Sequence, residues 1–316
     1  MTPRGERVAW EQVDGVLLLD KPRGSTSNAA LQRARRLYRA EKAGHAGTLD
    51  PLATGLLPCL FGEATKFGAE LLGADKTYEA TIALGITTTT GDEEGEVIER
   101  SPAAVEQTDV ERVLARFRGP VAQVPPMYSA IKRAGRPLYS YARAGEVVHR
   151  VARTVTIHEL TLERFSPDRL AVRVRCGKGT YVRVLAEDIG RALGCGGCLA
   201  ALRRSAVGTL SAADAVSVEA LEALSAGARA GRLRRVDSLV EHLPALTVQD
   251  GLATRFRCGQ AVPGSSVERG RFRVYAADGA FIGVGEIDGA GELRPQRLLR
   301  QDERATGPSG AAARIL

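Results

Sequence analysis

The stretch GHAGTLDPLATGLLP (residues 44–58) sets a lone carboxylate, Asp50, between a Gly/Thr loop that carries His45 and an apolar run. Two readings compete. Asp50 before Pro51 suits a helix N-cap followed by proline at the first helical position. Leu52, Leu56 and Leu57 would then form a short apolar stripe, limited by Gly55 and Pro58. Alternatively, Asp50 is a reactive group held at a turn. The rest of the chain decides between them.

With 316 residues, the chain can bury a full core and divide into one large and one smaller domain. Its 44% hydrophobic and 26% charged content is that of an ordinary globular protein. No apolar run approaches the ~20 residues of a membrane span, and the first dozen residues lack the apolar core of a secretory signal. Five cysteines without a paired framework point to a reducing, cytoplasmic setting. The net charge of +7 favours a polyanionic partner. Basic residues cluster at Arg33, Arg35, Arg36 and Arg39, and again over 116–150, which holds Arg116, Arg118, Lys132, Arg133, Arg136, Arg143 and Arg150 against Glu146 alone. Either cluster could be a solvated face; together they point to nucleic acid.

VLLLD (16–20) reads as a buried strand, and GSTSNAA supplies caps for a helix running to about Arg39, with Leu31, Ala34 and Tyr38 inward. In TYEATIALGIT (77–87), Tyr78, Ala80, Ile82 and Leu84 alternate with polar residues, as in a half-buried strand. A helix follows from Thr108, where Thr108 and Glu111 form a capping box and Val110, Val113, Leu114 and Phe117 a buried stripe. LAVRVRC (170–176) is another alternating strand, and YVRVLAEDIGRALG a helix stopped by Gly194. Strands and helices alternate without repeated βαβ units, so the fold class is α+β, with a mixed, largely antiparallel sheet. The pattern changes near residue 245. Residues 1–245 form the large domain and 246–300 a small β-rich one, with 301–316 a mobile tail.

Some motifs mean less than they suggest. CGGC (195–198) has no second ligand pair for zinc, and Cys198 reads as a small apolar residue entering a strand. GKGT (177–180) lacks the phosphate-loop pattern. GDEEGE (91–96) matches no calcium loop; Asp92 is its one residue of interest, and a metal-dependent nuclease built on it is the weakest reading.

DKPRGSTS, GHAGTLDPLATG, KTYEA, GD at 91–92, PPMYSAIK and CGKGTYVRVLAEDIG occur in order from about residue 13 to 210, and TRFRCGQAV follows at 254–262. In these motifs the chain resembles the TruB family of bacterial tRNA pseudouridine-55 synthases. The resemblance implies the pseudouridine synthase fold with a C-terminal PUA-type RNA-binding module, no metal or other cofactor, and a monomer acting on the T-arm stem-loop of tRNA, with the C-terminal module reaching the acceptor end. It makes Asp50 the catalytic aspartate, Tyr78 the base platform and proton-transfer partner, and Arg183 the arginine pairing Asp50. Tyr181 and Asp92 would shape the pocket, His45 would contact the flipped-out RNA, Lys21 would support the site floor, and Lys132 would join the RNA contacts. An arginine beside a buried carboxylate opposes the pKa rise that burial imposes. A tRNA-binding or folding module with secondary isomerase activity is the alternative from another class.

Overall fold

In the computed structural model, which describes residues 9–129, 131–264, 268–300 and 314–315, VLLLD lies in strand β1 (Gly15–Lys21), buried apart from a half-buried Asp20. The Thr26 hydroxyl accepts from the Ala29 N–H to cap α1 (Ser27–Tyr38), which turns Ala30, Leu31, Ala34 and Tyr38 inward. After β2 (Ala43–His45) the chain makes the turn that carries Asp50. The helix expected beyond Pro51 does not form: Thr54–Phe61 is strand β3, buried at every residue but Thr54. Both faces of β3 are covered, so its residues read as a continuous apolar run with no alternation. Gly55 marks its crossing point, at φ +97° and so close to the neighbouring strand that a Cβ would fall 2.4 Å from the Arg204 carbonyl oxygen.

Next come α2 (Gly68–Gly73), β4 (Lys76–Leu84), the small hairpin β5 (Ile86–Thr88) and β6 (Val97–Arg100), α3 (Gln107–Arg116) and β7 (Gly119–Gln123). β4 keeps the expected alternation, with Tyr78, Ala80 and Ile82 buried and Glu79 exposed. α3 buries Val110, Val113 and Leu114 as expected. Its N-cap is Glu106, without a side-chain bond, so Thr108 lies inside the helix and the Thr108–Glu111 capping box does not form. A second hairpin, β8 (Lys132–Arg133) and β9 (Arg136–Pro137), leads into α4 (Leu138–Arg143). The long strands β10 (Arg153–Ser166) and β11 (Arg169–Cys176) precede α5 (Val182–Ala192), β12 (Gly197–Val207), β13 (Leu210–Ser211), β14 (Val216–Ser217), α6 (Val218–Ala223) and α7 (Ala226–Ala230).

These strands build a ten-stranded sheet in the order β14-β1-β3-β12-β4-β11-β10-β7, with β2 on β3 and β13 on β12. Its pairs are antiparallel except β1–β14 and β3–β12. One core lies between the β4–β11–β10 face and helices α3 and α5; another joins β1 and β3 to α1 and α6. The β3–β12–β4 junction brings the Asp50 turn beside Tyr78.

The C-terminal region forms a separate six-stranded sheet from β15 (Ala245–Val248), β16 (Val262–Pro263), β17 (Gly270–Ala276), β18 (Phe281–Ile287), β19 (Glu292–Leu298) and β20 (Arg314–Ile315), with α8 (Asp250–Arg257) against it. Phe256, Phe272 and Val274 are central to its core. It docks on the large domain through Phe281 against Phe67, with ring centroids 5.7 Å apart, and through Arg271 on Glu70. Of the tail expected to be mobile, 301–313 and 316 lie outside the described residues, while Arg314–Ile315 runs along β15. Among the described residues, no helix is long and apolar enough to cross a membrane.

Candidate active site

The turn that presents Asp50 is held from three elements. Ser27, at the start of α1, donates its hydroxyl to the Leu49 carbonyl (2.9 Å) and accepts from the Leu49 N–H (2.7 Å). Lys21, fully buried at the end of β1, donates Nζ to the carbonyls of Pro22 (2.8 Å), Ser25 (2.7 Å) and Pro51 (3.4 Å). Arg204 of β12 donates Nε to Leu56 O (2.7 Å) and Nη2 to Gly47 O (3.0 Å). Gly47 has φ +89°, and a Cβ there would meet Arg204 Nη1 at 3.3 Å, so this loop position requires glycine.

Arg183, in the first turn of α5, carries its Nε to within 2.9 Å of Asp50 Oδ2. The same Nε is 3.6 Å from Asp92 Oδ2. Its other nitrogens donate to the carbonyls of Thr90 (3.0 Å) and Tyr128 (2.7 Å). Asp92 is fixed in turn by the Thr90 hydroxyl (2.5 Å) and the Glu94 N–H (3.2 Å), on a loop hydrogen-bonded to Leu199 of β12. One guanidinium thus faces two carboxylates. The Arg183 and Asp92 side chains are 4% and 5% exposed, whereas Asp50 is 38% exposed and is the carboxylate open to a ligand.

Burial pushes the Asp50 carboxyl above the usual carboxylate range; Arg183 opposes the rise and Asp92 adds to it. Burial also raises the Tyr78 phenol, with Arg204 opposing, and lowers Lys21 to about 8.

Asp50 opens into a cleft of about 390 Å³ lined also by Tyr78, Tyr181, Arg183 and Arg204. Tyr181 is the N-cap residue of α5. Its N–H donates to the Gln123 side-chain oxygen (3.0 Å), its carbonyl accepts from the Gln123 amide (3.2 Å), and the Arg153 guanidinium lies 5.1 Å from its ring centre. The structure therefore gathers Asp50, Tyr78, Tyr181 and Arg183 around one space, with Asp92 behind Arg183.

Of the residues expected to meet the RNA, His45 and Lys132 are absent from the cleft lining. His45 pairs with Cys59 in the sheet, outside the cleft lining, and burial, with Arg204 nearby, lowers its imidazole pKa. Lys21 has no exposed surface, and its ammonium is engaged by backbone carbonyls, so it braces the turn. Lys132 is exposed on the β8–β9 hairpin.

The basic face expected on α1 is largely engaged within the chain. Arg33 pairs with Glu222 at 2.8 Å, Arg35 binds the Ala40 carbonyl and stacks on Trp10, and Arg39 binds Glu11. Two cleft residues escaped the sequence reading. Lys76 ties its ammonium to the carbonyls of Leu71, Leu72 and Ala74. Arg204 had a signal: alternation along β12 puts it on the inward face with Leu202, and an inward arginine in a strand requires partners.

Family models match the chain in three consecutive pieces. The model described as TruB family pseudouridylate synthase (N terminal domain) matches residues 35–182. The tRNA pseudouridylate synthase B C-terminal domain matches 183–243, and the model of pseudouridine synthase II TruB, C-terminal, matches 244–299. The tRNA pseudouridine synthase B of Azoarcus sp. (strain BH72) is 56% identical over 287 residues, covering 91% of this chain and 95% of the relative. That of Dechloromonas aromatica (strain RCB) is 55% identical over 292 residues, covering 92% and 97%. Among solved structures, a chain in the crystal structure of a Cbf5-Nop10-Gar1 complex matches with TM-score 0.66 at 26% identity, over 86% of this chain and 78% of that one. A chain of an H/ACA RNP bound to a substrate RNA containing 2′-deoxyuridine shares the fold, with TM-score 0.68 at 22% identity over 92% and 86%. With curated relatives this similar over nine-tenths of its length, the chain belongs to the TruB family of pseudouridylate synthases.

Proposed function

We propose that this chain isomerises uridine-55 in the T-arm loop of tRNA to pseudouridine, with Asp50 as the reacting carboxylate. The observation that carries the reading is the ion pair of Asp50 with the buried Arg183 at the mouth of a cleft walled by Tyr78 and Tyr181, in a chain of this family.

The reaction breaks the N1–C1′ bond and forms C5–C1′. The C5 hydrogen leaves as a proton and N1 gains one, so no oxidant, reductant or energy source enters the balance. One ionised carboxylate serves either as a nucleophile on the sugar or base, or as the base that removes the 2′ proton. Arg183 favours the charged form of Asp50, and Tyr78 offers a ring for stacking the extruded base and a hydroxyl for proton transfer. The exposed Lys132 and the arginines of its hairpin supply phosphate contacts that position the RNA, and the C-terminal module grips the acceptor end of a tRNA bound by one protomer. His45, half-buried at the end of β2, contacts the flipped-out RNA.

Isomerisation at C5 releases tritium from [5-³H]uridine. An unmodified T-arm stem-loop is expected to release it with this protein in EDTA, without added nucleotide; intact RNA with no tritium release would refute the reading. Lys21→Met is expected to slow turnover about tenfold or more while RNA affinity stays within about threefold, because Lys21 braces the Asp50 turn and cannot touch RNA. Filter binding with single-turnover rates checks this, and a loss confined to affinity would make Lys21 an RNA contact.

A further inference from the structure

Gln123 ends β7, and the alternation of that strand turns it inward, where it is 1% exposed. A buried amide left without partners costs stability. Gln123 finds both of its partners on one residue. Its side-chain oxygen accepts from the Tyr181 N–H at 3.0 Å, and its amide nitrogen donates to the Tyr181 carbonyl at 3.2 Å. Tyr181 is extended, at φ −105° and ψ 109°, so its N–H and C=O point to the same side. The Gln123 amide therefore stands in for a strand residue opposite Tyr181.

The partner of Gln123 across the β7–β10 ladder serves the same tyrosine. Arg153 is in register with Gln123, sets its guanidinium 5.1 Å from the Tyr181 ring centre and donates to the Gly179 carbonyl. The end of one ladder thus holds Tyr181 twice, by its backbone and by its ring. Tyr181 and Arg153 line the cleft that Asp50 opens into, whereas Gln123 is absent from the lining. Any effect of Gln123 on a bound base must therefore pass through the residue it clamps.

We propose that Gln123 is a positioning residue for the reaction: by clamping the extended backbone of Tyr181, it fixes where that ring stands in the cleft. This rests on the functional reading above. Without the amide, the Tyr181 carbonyl keeps its bond from the Leu185 N–H (3.1 Å), but the Tyr181 N–H loses its acceptor and the ring is free to shift against the base.

A double-mutant cycle on Gln123 and Tyr181 tests the assignment by single-turnover tritium release from the T-arm stem-loop, with RNA affinity and melting measured in parallel. Tyr181→Leu keeps an apolar wall without the ring. Gln123→Met is expected to lower the rate at least about tenfold in the Tyr181 background and no more than about twofold in Tyr181→Leu, with RNA affinity within about threefold. The fall in melting temperature is expected to be the same in both backgrounds, because the lost bonds are to the backbone. Gln123→Asn leaves the amide one methylene short of Tyr181, and an intermediate rate loss with the same dependence on the ring is expected. If Gln123→Met fails to fold, the Gln123→Asn cycle decides alone. Equal rate losses in both backgrounds, or variants that keep the wild-type rate, would overturn the assignment and leave Gln123 a support for the start of α5. Wild-type protein without product would overturn the functional reading itself, whereas wild-type product abolished by Asp50→Asn upholds that reading whatever the cycle returns.

Discussion

Asp50→Asn is expected to abolish isomerisation, by about 10³-fold or more, without lowering the melting temperature at neutral pH. The two effects separate because the folded protein disfavours the charge that the chemistry needs. Burial holds the Asp50 carboxyl above its usual value despite Arg183. For an acid whose folded pKa is raised, stabilisation is fully present below the unfolded value and is lost as pH rises through the folded one. At neutral pH the ionised carboxylate therefore costs stability, and a neutral amide of the same shape relieves that cost. Activity runs the other way, falling as pH drops through the folded pKa and Asp50 takes up its proton. Thermal melting beside single-turnover rates checks both halves. A variant that is inactive because it unfolds would show Asp50 to be the structural cap that Asp50-Pro51 first suggests.

Arg183→Met is expected to remove activity and stability together. Its nitrogens serve Asp50, Asp92 and the carbonyls of Thr90 and Tyr128. With both the Arg183 and Asp92 side chains no more than 5% exposed, the substitution leaves Asp92 buried without its cation. Breaking such a buried pair costs about 3 kcal/mol, far more than a surface ion pair contributes. The loss of counter-charge also raises the Asp50 pKa further, so any residual activity moves to higher pH. Arg183→Lys restores the charge but not the span from Asp50 to the two carbonyls, and is expected to recover stability before turnover. Denaturant titrations and pH–rate profiles of both variants check this. A stable Arg183→Met protein with an unmoved pH profile would contradict the electrostatic account.

Where a residue's neighbours lie within its own element, the fold was legible. The alternation of β4 declared Tyr78 inward, and the caps and stripe of α1 placed Leu31, Ala34 and Tyr38. The stretch that mattered most misled because a strand covered on both faces loses its alternation. LLPCLF carries no period to distinguish it from a helical stripe, and the Asp50-Pro51 pair imitates a helix start. The same limit applied at the site. The motifs named Asp50, Tyr78, Tyr181 and Arg183, and the fold brings these to one cleft. What motifs do not encode is who holds them. Arg204 acquires meaning only when β12 is inserted between β3 and β4, a pairing of residues 148 and 157 positions apart for Leu56 and Gly47. The resemblance put Lys21 under the site floor but did not name the carbonyls of Pro22, Ser25 and Pro51 that its ammonium binds there. Arg33 of α1 likewise meets Glu219 and Glu222 from a helix far along the chain.

The most direct test treats one unmodified full-length tRNA with wild type and with Asp50→Asn at equal bound RNA, and maps pseudouridine along the transcript. The account predicts a single pseudouridine at position 55 from wild type and none from the variant. Product from the variant, or wild-type product at another uridine with position 55 untouched, would contradict it.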